Sequence, residues 1–351
     1  MKNAKQLKVV ECRGTPYEIG QQWGEACRDS ILQGLENSTM GMSLIYNATR
    51  EDITSKAMRF LPLVQDFDPY QVEIMRGQAR GAGVKFEEVF VQKCSFELSF
   101  YYNNITSMCT SFAATGKATG SGQTLLGQTI DWFPGTPIDL LKIHHSDGLV
   151  QFVLSLANSS EYTISSTGMG ICANATVGQN YTFSIPLGCY MPKVMRQRNV
   201  QDGIEILKQA ARGLGYYHLA DANGQMMGIE SVHNDYQLLL PENGLLVHSN
   251  HYITERFQEG DTAHLYMPDS YHRLSRITAL VHQHYGKINL ETAMEILSDH
   301  DAYPKSICSH IDPQSQLPSE TLASYIMVPG EGAIYIAAGN PCEYEFIRYK
   351  L

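Results

Sequence analysis

The strongest constraint on the fold is a change of patterning about a third of the way along the chain. Before Cys109 the sequence is mainly helical in pattern, and after it come runs of short strand-like segments separated by turn residues. Helical stretches interrupt these runs in pairs rather than following each strand. Strands and helices grouped in blocks predict an α+β fold, with two antiparallel sheets covered by helices, rather than alternating βαβ units.

Cap residues, turn residues and periodicity give the expected bounds of these elements. A helix is expected from Pro16, and others at residues 52–65, 70–81, 86–100, 193–214, 271–285 and 290–298. Strands are expected at residues 7–12, 109–115, 124–131, 140–144, 150–156, 161–165, 170–174, 217–221, 226–231, 236–240, 245–249, 322–329, 333–338 and 344–348. In the first helix, Gly20 and Gly24 are four residues apart and predict a close approach by another segment.

Composition narrows the class of protein. The chain has 351 residues, is 43% hydrophobic and carries a formal net charge of −10. The hydrophobic fraction is sufficient for a large core, and the negative charge argues against a nucleic-acid surface. The sequence contains no apolar run of membrane-spanning length and no secretory signal pattern near Met1, so we expect a cytoplasmic protein without a membrane partner.

The cysteines and histidines do not form a recognisable metal motif. The eight cysteines are scattered without a C-x-x-C pair, so mostly buried free thiols are expected. The pairs His248/His251 and His282/His284 lack a convergent third ligand, so no metal site is predicted. No cofactor is predicted either, because neither a dinucleotide-binding nor a P-loop glycine motif follows a strand.

The segment beginning at Cys109 carries the chemical hypothesis. If the peptide bond between Met108 and Cys109 is cut by the protein itself, Cys109 becomes an N-terminus with a thiol and a free α-amine. The unperturbed pKa of an α-amine is about 7.7–8.0, so this group can accept the thiol proton near neutral pH. The resulting thiolate can attack an acyl carbon without a histidine base. The residues alone do not select Cys109 from the other seven cysteines.

Several segments, in order along nearly the whole chain, resemble one family. These segments are Gly14-Thr15-Pro16-Tyr17-Glu18-Ile19-Gly20, Cys109-Thr110, Gly127-Gln128-Thr129-Ile130-Asp131-Trp132-Phe133, His248-Ser249-Asn250-His251, Pro268-Asp269-Ser270-Tyr271-His272-Arg273 and residues 299–308. They are similar to the N-terminal-nucleophile hydrolases of the acyl-CoA:6-aminopenicillanic acid acyltransferase type (isopenicillin N acyltransferase-like, peptidase C45). The resemblance implies one αββα four-layer domain over residues 1–351. It also implies autocatalytic cleavage of a zymogen into a mainly helical α chain, 1–108, and a β chain, 109–351.

The resemblance also implies roles for individual residues. Cys109 is the nucleophile and, through its freed amine, the base, while Asp131 is expected to hold that amine and Asn250 to stabilise the oxyanion. Asn174 is a lesser candidate for a substrate or oxyanion contact, with a plain turn residue as the alternative. The chain departs from the family pattern at Met108, where the fungal enzymes have glycine. It departs again at Gln128, where bile-salt hydrolases have arginine.

The predicted activity is cleavage or transfer of the acyl group of a small N-acyl compound through a thioester on Cys109. Hydrolysis is the expected outcome, because no coenzyme A site is recognisable in the sequence. Alternatives are an amidase of the same fold acting on bile salts or acyl-homoserine lactones, and a non-catalytic protein that binds a small molecule. A papain-like cysteine protease, with a base at His248 or His251, is a third. The sequence leaves the oligomeric state open, including a homo-oligomer.

Overall fold

The computed structural model of the protein describes residues 2–101, 109–178, 184–209, 215–232, 234–315 and 318–351. The predicted cleavage position Met108 lies outside these residues. Within the described residues, no helix is both long enough and apolar enough to cross a membrane.

Helices and strands follow the block pattern predicted from the sequence. The helices are α1 Pro16–Ala26, α2 Arg28–Tyr46, α3 Arg50–Met58, α4 Leu61–Phe67, α5 Pro69–Ala82, α6 Phe86–Lys93, α7 Ser95–Tyr101, α8 Leu187–Met195, α9 Val200–Gln209, α10 Glu255–Gln258, α11 Ala263–Tyr266, α12 Asp269–Gln283 and α13 Leu290–Leu297. The strands are β1 Val9–Gly14, β2 Ser111–Ala114, β3 Leu125–Trp132, β4 Ile138–His145, β5 Val150–Leu156, β6 Ser160–Ser165, β7 Met169–Asn174, β8 Gly215–Asp221, β9 Met226–Val232, β10 Asp235–Leu239, β11 Leu245–His248, β12 Glu320–Val328, β13 Ala333–Ala337 and β14 Ile347–Lys350.

The described strands form two sheets. One has eight strands in the order β1-β4-β5-β6-β7-β8-β9-β10, and the other has six in the order β11-β2-β3-β12-β13-β14. Strand pairs within the sheets are antiparallel except β1 with β4, which are parallel. The turn at Asn223-Gly224 joins β8 to β9, as predicted, with Gly224 at φ 82°.

Alternating side chains of the six-stranded sheet face two different cores, because successive residues of a strand point to opposite faces. Ala113 and Leu126 pack in the core between the sheets, while Phe112, Leu125 and Ile326 pack against α12 and α13. A further cluster joins α1 and α5 to the outer face of the eight-stranded sheet. The layers are therefore helix, sheet, sheet and helix, which confirms the predicted αββα sandwich.

Helices α1 and α5 approach closely through glycines. A Cβ placed on Gly20 would lie 2.0 Å from the backbone oxygen of Ile74, and one on Gly24 would lie 2.3 Å from that of Gln78. No side chain fits at such distances. The close approach predicted for Gly20 and Gly24 is confirmed, and it fixes the helix layer behind β1 and β4.

The differences from the predicted elements lie mostly in the helices. Helix α2 was not predicted, because Gly34, Asn37, Ser38 and Thr39 are poor helix formers and its periodicity is weak. It is held by packing of buried side chains such as Leu35 against the cluster of the helical layer. The stretches predicted as single helices at 52–65, 86–100 and 193–214 are each divided into two.

Candidate active site

Strand pairing brings the predicted site residues to one end of the six-stranded sheet. Cys109 lies two residues before β2, and Asn250 lies two residues after β11, its antiparallel neighbour. Asp131 lies near the end of β3 on the other side of β2 and pairs with Thr321 of β12. Adjacent antiparallel strands place the start of one beside the end of the next. Residues 141 positions apart in sequence, Cys109 and Asn250, therefore come into contact.

The side chain of Asn250 contacts both reactive atoms of Cys109. Its Oδ1 accepts a hydrogen bond from the Cys109 backbone N–H at 2.8 Å, and its Nδ2 donates to Cys109 Sγ at 3.2 Å. Nδ2 also donates to the Ala175 carbonyl at 2.8 Å, and the Asn250 N–H donates to Ser270 Oγ at 2.7 Å. Cys109 is 2% exposed and Asn250 is fully buried. The orientation of this amide is therefore fixed on all sides by hydrogen bonds.

Arg273 is a site residue to which the sequence analysis gave no role. From α12, its guanidinium donates to the Cys109 carbonyl at 2.9 Å, to Thr110 Oγ1 at 2.8 Å and to Asn250 Oδ1 at 2.9 Å. Its Nε donates to Asp269 Oδ2 at 2.7 Å, one helical turn earlier. Arg273 is only 1% exposed, so this ion pair supplies its counter-charge. The four-residue spacing of Asp269 and Arg273 in the sequence indicates an ion pair on one face of a helix. Whether Arg273 then points toward Cys109 depends on how α12 packs.

Asp131 is buried beside the site with one oxygen engaged. Its Oδ1 accepts a hydrogen bond from Thr321 Oγ1 at 2.6 Å, whereas Oδ2 has no hydrogen-bond partner among the described residues. Burial raises the pKa of Asp131 to about 7, and the positive charge of Arg273 opposes this rise. A buried carboxylate with an unpaired oxygen can bind a cation or accept a hydrogen bond. The intact peptide backbone of the described residues does not provide such a partner.

The thiol of Cys109 is not acidic in this environment. Burial raises its pKa to about 11, although the hydrogen bond from Asn250 favours the thiolate. Sγ lies 3.6 Å from the Ala173 carbonyl oxygen, which can accept a weak hydrogen bond from the thiol. The sulfur therefore needs a base to become a nucleophile at neutral pH.

Asn174, at the end of β7 in the other sheet, faces the same region. Its Oδ1 accepts a hydrogen bond from Ser111 Oγ at 2.5 Å, and its Nδ2 is buried without a hydrogen-bond partner in the described part of the chain. Asn174 is 1% exposed, so it is not an exposed turn residue. An unpaired buried donor carries a free-energy cost unless a ligand accepts its hydrogen bond.

A narrow cavity of about 20 Å³, the space of about one water molecule, adjoins Cys109. Asn174 and Ser160 are its polar lining residues, and Ala173 and Ala175 also line it. The rest is formed mainly by large apolar or aromatic side chains, namely Phe96, Trp132, Leu156, Tyr162, Leu187 and Met191. The cavity lining beside Cys109 is therefore mainly apolar with a few polar groups, but the cavity itself is too small for more than a water molecule.

His248, His251 and Gln128 are engaged elsewhere. His248 bonds Glu230 Oε1 at 2.9 Å and the Ser249 carbonyl at 2.8 Å, and His251 bonds Ser270 Oγ at 2.8 Å. These contacts occupy both ring nitrogens of His248 and the Nδ1 atom of His251, which argues against His248 as the base of the papain-like alternative. Gln128 bonds both backbone groups of Ala173, at 2.6 and 2.9 Å, so it ties β3 to β7.

The structure thus brings together four of the residues singled out by sequence: Cys109, Asp131, Asn250 and Asn174. In the described chain the Cys109 nitrogen is an amide held by Asn250, so the contact predicted between Asp131 and a free α-amine stays a prediction. The same holds for the oxyanion role of Asn250 and for cleavage after Met108.

With this geometry established, comparison with known proteins defines the class. The family model described as acyl-coenzyme A:6-aminopenicillanic acid acyl-transferase matches residues 118–343, which is more than half of the chain. The protein belongs to this family. The matched range contains Asp131, Asn174, Asn250 and Arg273 and begins nine residues after Cys109.

The individual proteins to which the chain is similar include one sequence relative and two solved structures. The chain is 24% identical over 310 residues to the acyl-coenzyme A:6-aminopenicillanic-acid-acyltransferase 40 kDa form of Emericella nidulans, a match covering 85% of this chain and 84% of the relative. Among solved structures it is similar to a mutant conjugated bile acid hydrolase from Clostridium perfringens, with 14% identity, a TM-score of 0.47 and coverage of 70% and 97% of the two chains. It is also similar to penicillin V acylase from Agrobacterium tumefaciens, with 12% identity, a TM-score of 0.45 and coverage of 66% and 83%.

Proposed function

We propose that this protein is an enzyme that hydrolyses or transfers the acyl group of small N-acyl amides, with Cys109 as an N-terminal nucleophile. The observation that carries the proposal is the amide of Asn250, which contacts both the nitrogen and the sulfur of Cys109. A nucleophile that uses its own α-amine as base needs both atoms positioned together. Membership of an acyltransferase family and the acyltransferase name of the Emericella relative support the same class of reaction.

The first step of the proposal is maturation. Hydrolysis of the bond between Met108 and Cys109, in which water adds to the Met108 carbonyl carbon to give a carboxylate, converts the Cys109 amide into an amine, a base with an unperturbed pKa of about 7.7–8.0. The Oδ2 of Asp131, which has no hydrogen-bond partner among the described residues, supports this step, because a buried carboxylate oxygen of this kind can stabilise the ammonium form of that amine. Loss of the peptide bond thus supplies the base that the thiol needs.

The second step is acyl transfer to sulfur. The thiol proton moves to the α-amine, and the thiolate attacks the amide carbon of the substrate to give a tetrahedral oxyanion. The Asn250 Nδ2–H that now points to Sγ and the unpaired Nδ2 of Asn174 are the donors proposed for that oxyanion. The intermediate expels the amine, which takes a proton from the α-ammonium, and leaves a thioester. Water then hydrolyses the thioester, or a second amine accepts the acyl group.

The apolar lining of the cavity supports a hydrophobic acyl group as the recognised part of the substrate, and side chains of the wall must move to admit it because the cavity measures only about 20 Å³. Its apolar wall adjoins Sγ, whereas the polar wall carries Asn174 near the reacting carbonyl. The bile-salt alternative has less support, because Gln128 is neutral and its side chain is already bonded to Ala173. The nature of the departing amine is left to a substrate panel.

Mass spectrometry of purified protein tests the proposal. Wild type and the buried-cysteine control Cys172→Ala should yield fragments of 108 and 243 residues, whereas Cys109→Ala should remain intact at 351. The β fragment should begin with cysteine. Wild type should also release amine from hydrophobic N-acyl amino acids, and Cys109→Ala should not. Identical fragmentation of Cys109→Ala and wild type, or full turnover by Cys109→Ala, would overturn the proposal.

A further inference from the structure

A second cluster of reactive side chains lies apart from the proposed nucleophile. His300, Cys308, His310 and Cys342 each direct a ligand atom to one point, and these four atoms all lie within 4.8 Å of one another. Cys308 is buried, His310 and Cys342 are half-buried, and His300 is exposed, so the cluster lies at the surface. Three of its members lie within residues 300–310, but Cys342 is 34 residues beyond Cys308 and joins them only in the folded chain.

Four of the six separations between these atoms are close to those of a tetrahedral site. Zinc with Zn–S bonds of about 2.3 Å and Zn–N bonds of about 2.0–2.1 Å separates tetrahedral ligands by about 3.8 Å for two sulfurs, about 3.6 Å for sulfur and nitrogen, and about 3.3 Å for two nitrogens. The two sulfurs of Cys308 and Cys342 are 3.6 Å apart, and His310 Nε2 lies 3.7 and 3.4 Å from them. The Nε2 atoms of His300 and His310 are 3.1 Å apart.

We propose that His300, Cys308, His310 and Cys342 bind a structural Zn²⁺ ion. Two cysteines and two histidines are a ligand set that Zn²⁺ prefers, and four protein ligands close the coordination sphere to water and substrate. Two thiolates neutralise the charge of the ion, so the occupied site carries no net charge. Magnesium and calcium are disfavoured because they prefer oxygen ligands.

Neighbouring groups fit the outer shell of such a site. Asn340 Nδ2 lies 3.9 Å from Cys308 Sγ and donates a hydrogen bond to the Ser309 carbonyl at 2.7 Å. These contacts hold the loop that carries Cys342 against the loop that carries Cys308. Donors around ligand sulfurs orient them and are typical of structural metal sites.

The site joins three segments of the β-chain region. His300 follows α13, Cys308 and His310 precede β12, and Cys342 lies between β13 and β14. Each segment is a connection between regular elements, and a metal ion would fix their relative positions. This is the role that closed zinc sites have in proteins.

The proposed zinc site is also linked to Asp131 through hydrogen bonds. Ser309 lies between two of the ligands, and its N–H donates to Thr321 Oγ1 at 2.8 Å. Thr321 in turn donates to Asp131 Oδ1 at 2.6 Å. Zinc would therefore act on the active site only indirectly, as a positioning element, and would not contact the reacting atoms.

A disulfide between Cys308 and Cys342 is the competing arrangement. A disulfide bond is about 2.0 Å long, which is shorter than the 3.6 Å between these sulfurs. A disulfide would also not account for the approach of His300 and His310 to the two sulfurs. Mass spectrometry separates the two, since a disulfide removes two hydrogens from the β fragment and zinc adds the mass of one ion in the native state.

Metal analysis of the full-length protein tests the proposal. Protein purified without chelator, or reconstituted with Zn²⁺ under reducing conditions, should contain one zinc per chain by elemental analysis. Cobalt(II) should give the intense absorption of tetrahedral thiolate coordination. Most of the bound zinc should be lost in the variants Cys308→Ser, Cys342→Ser and His310→Ala. The controls Cys12→Ser and His282→Ala should retain it.

Thermal unfolding gives a second readout that does not depend on activity. A strong chelator should lower the Tm of wild type, and stoichiometric Zn²⁺ should restore it, with no such response in Cys342→Ser. Zinc below stoichiometry after reconstitution, equal zinc in the cluster variants and wild type, or a Cys308–Cys342 disulfide in freshly purified protein would overturn the proposal. None of these results bears on cleavage at Cys109, so the two proposals can fail separately.

Discussion

The Oδ1 atom of Asn250 lies 2.8 Å from the backbone nitrogen of Cys109, and the Nδ2 atom of the same amide lies 3.2 Å from its sulfur. One buried side chain thus sets the position of both functional atoms of the proposed nucleophile. The amide is itself held by Arg273 on the oxygen side and by the Ala175 carbonyl on the nitrogen side. Its orientation therefore cannot change without breaking several buried hydrogen bonds.

Replacing Asn250 by alanine should greatly reduce acyl transfer. Removal of one oxyanion donor lowers kcat by about 10²–10³-fold in comparable sites. Loss of the hydrogen bond to the buried Ala175 carbonyl should also lower the free energy of unfolding by about 1–3 kcal/mol. Steady-state kinetics and urea denaturation measure the two effects. Asn223→Ala, in an exposed turn, is the control, and a folded Asn250→Ala enzyme with wild-type kcat would contradict the prediction.

Arg273 should not be replaceable by lysine. Lysine keeps the positive charge, but a single ammonium cannot reproduce the planar contacts to Cys109, Thr110 and Asn250. We expect kcat/KM for Arg273→Lys to fall by about tenfold or more, since the loss of one such bond costs about 1–3 kcal/mol. Arg273→Met leaves Asp269 unpaired and should cost about 3–5 kcal/mol of unfolding free energy. The exposed Arg198→Lys is the control, and equal kinetics for Arg273→Lys and wild type would refute the assignment.

The stability contribution of Asp131 should depend on pH. Its folded-state pKa is raised to about 7, so the folded state holds the proton more tightly than the unfolded state does. The stabilisation is therefore full at acid pH, below the unfolded pKa of about 4, and is lost as pH rises towards 7.

This dependence can be measured in the uncleaved Cys109→Ala background. The unfolding free energy of the Asp131→Asn variant minus that of its parent should rise between pH 4 and 7, by at most about 1.4 kcal/mol per pH unit, and level off above 7. Urea titrations at fixed pH intervals provide the values. A difference that stays constant with pH would show that Asp131 titrates normally.

Adding one methyl group at Gly20 should destabilise the helical layer. The new Cβ would lie 2.0 Å from the Ile74 carbonyl oxygen, which belongs to a helix backbone and cannot move alone. Overpacking of this kind costs about 1–3 kcal/mol, and the helix preference of alanine over glycine, about 1 kcal/mol, does not compensate for it fully. Thermal unfolding should show a lower Tm for Gly20→Ala. Gly330→Ala, where no atom lies within 4 Å, should match wild type.

Shortening a side chain of the cavity should alter acyl-chain preference. Leu187 lines the cavity and is 6% exposed, so Leu187→Ala enlarges the space beside Cys109. The ratio of kcat/KM for longer over shorter acyl chains should rise by about tenfold, the scale of one or two methylenes in an apolar pocket. Leu207→Ala, buried but outside the cavity, is the control. An unchanged ratio would place the acyl group elsewhere.

The sequence was sufficient for the architecture and for much of the candidate site. The blocks of strands and helices predicted the two sheets, because periodicity and turn residues are local properties of the chain. It was less informative for helix α2, whose glycine, asparagine and serine residues do not favour a helix without the core that covers them. Family resemblance pointed to Cys109, Asp131, Asn250 and Asn174, and the structure brings all four to one region.

Other relationships were decided by the tertiary structure. Arg273 reaches Cys109 because α12 packs on the six-stranded sheet, and the raised pKa of Asp131 results from burial among elements more than 100 residues apart in sequence. The convergence of His300 and Cys342 depends equally on three loops that meet after folding. Local sequence determines which residues can be helix, strand or nucleophile, whereas distances between remote side chains follow from packing, which no short stretch of the chain encodes.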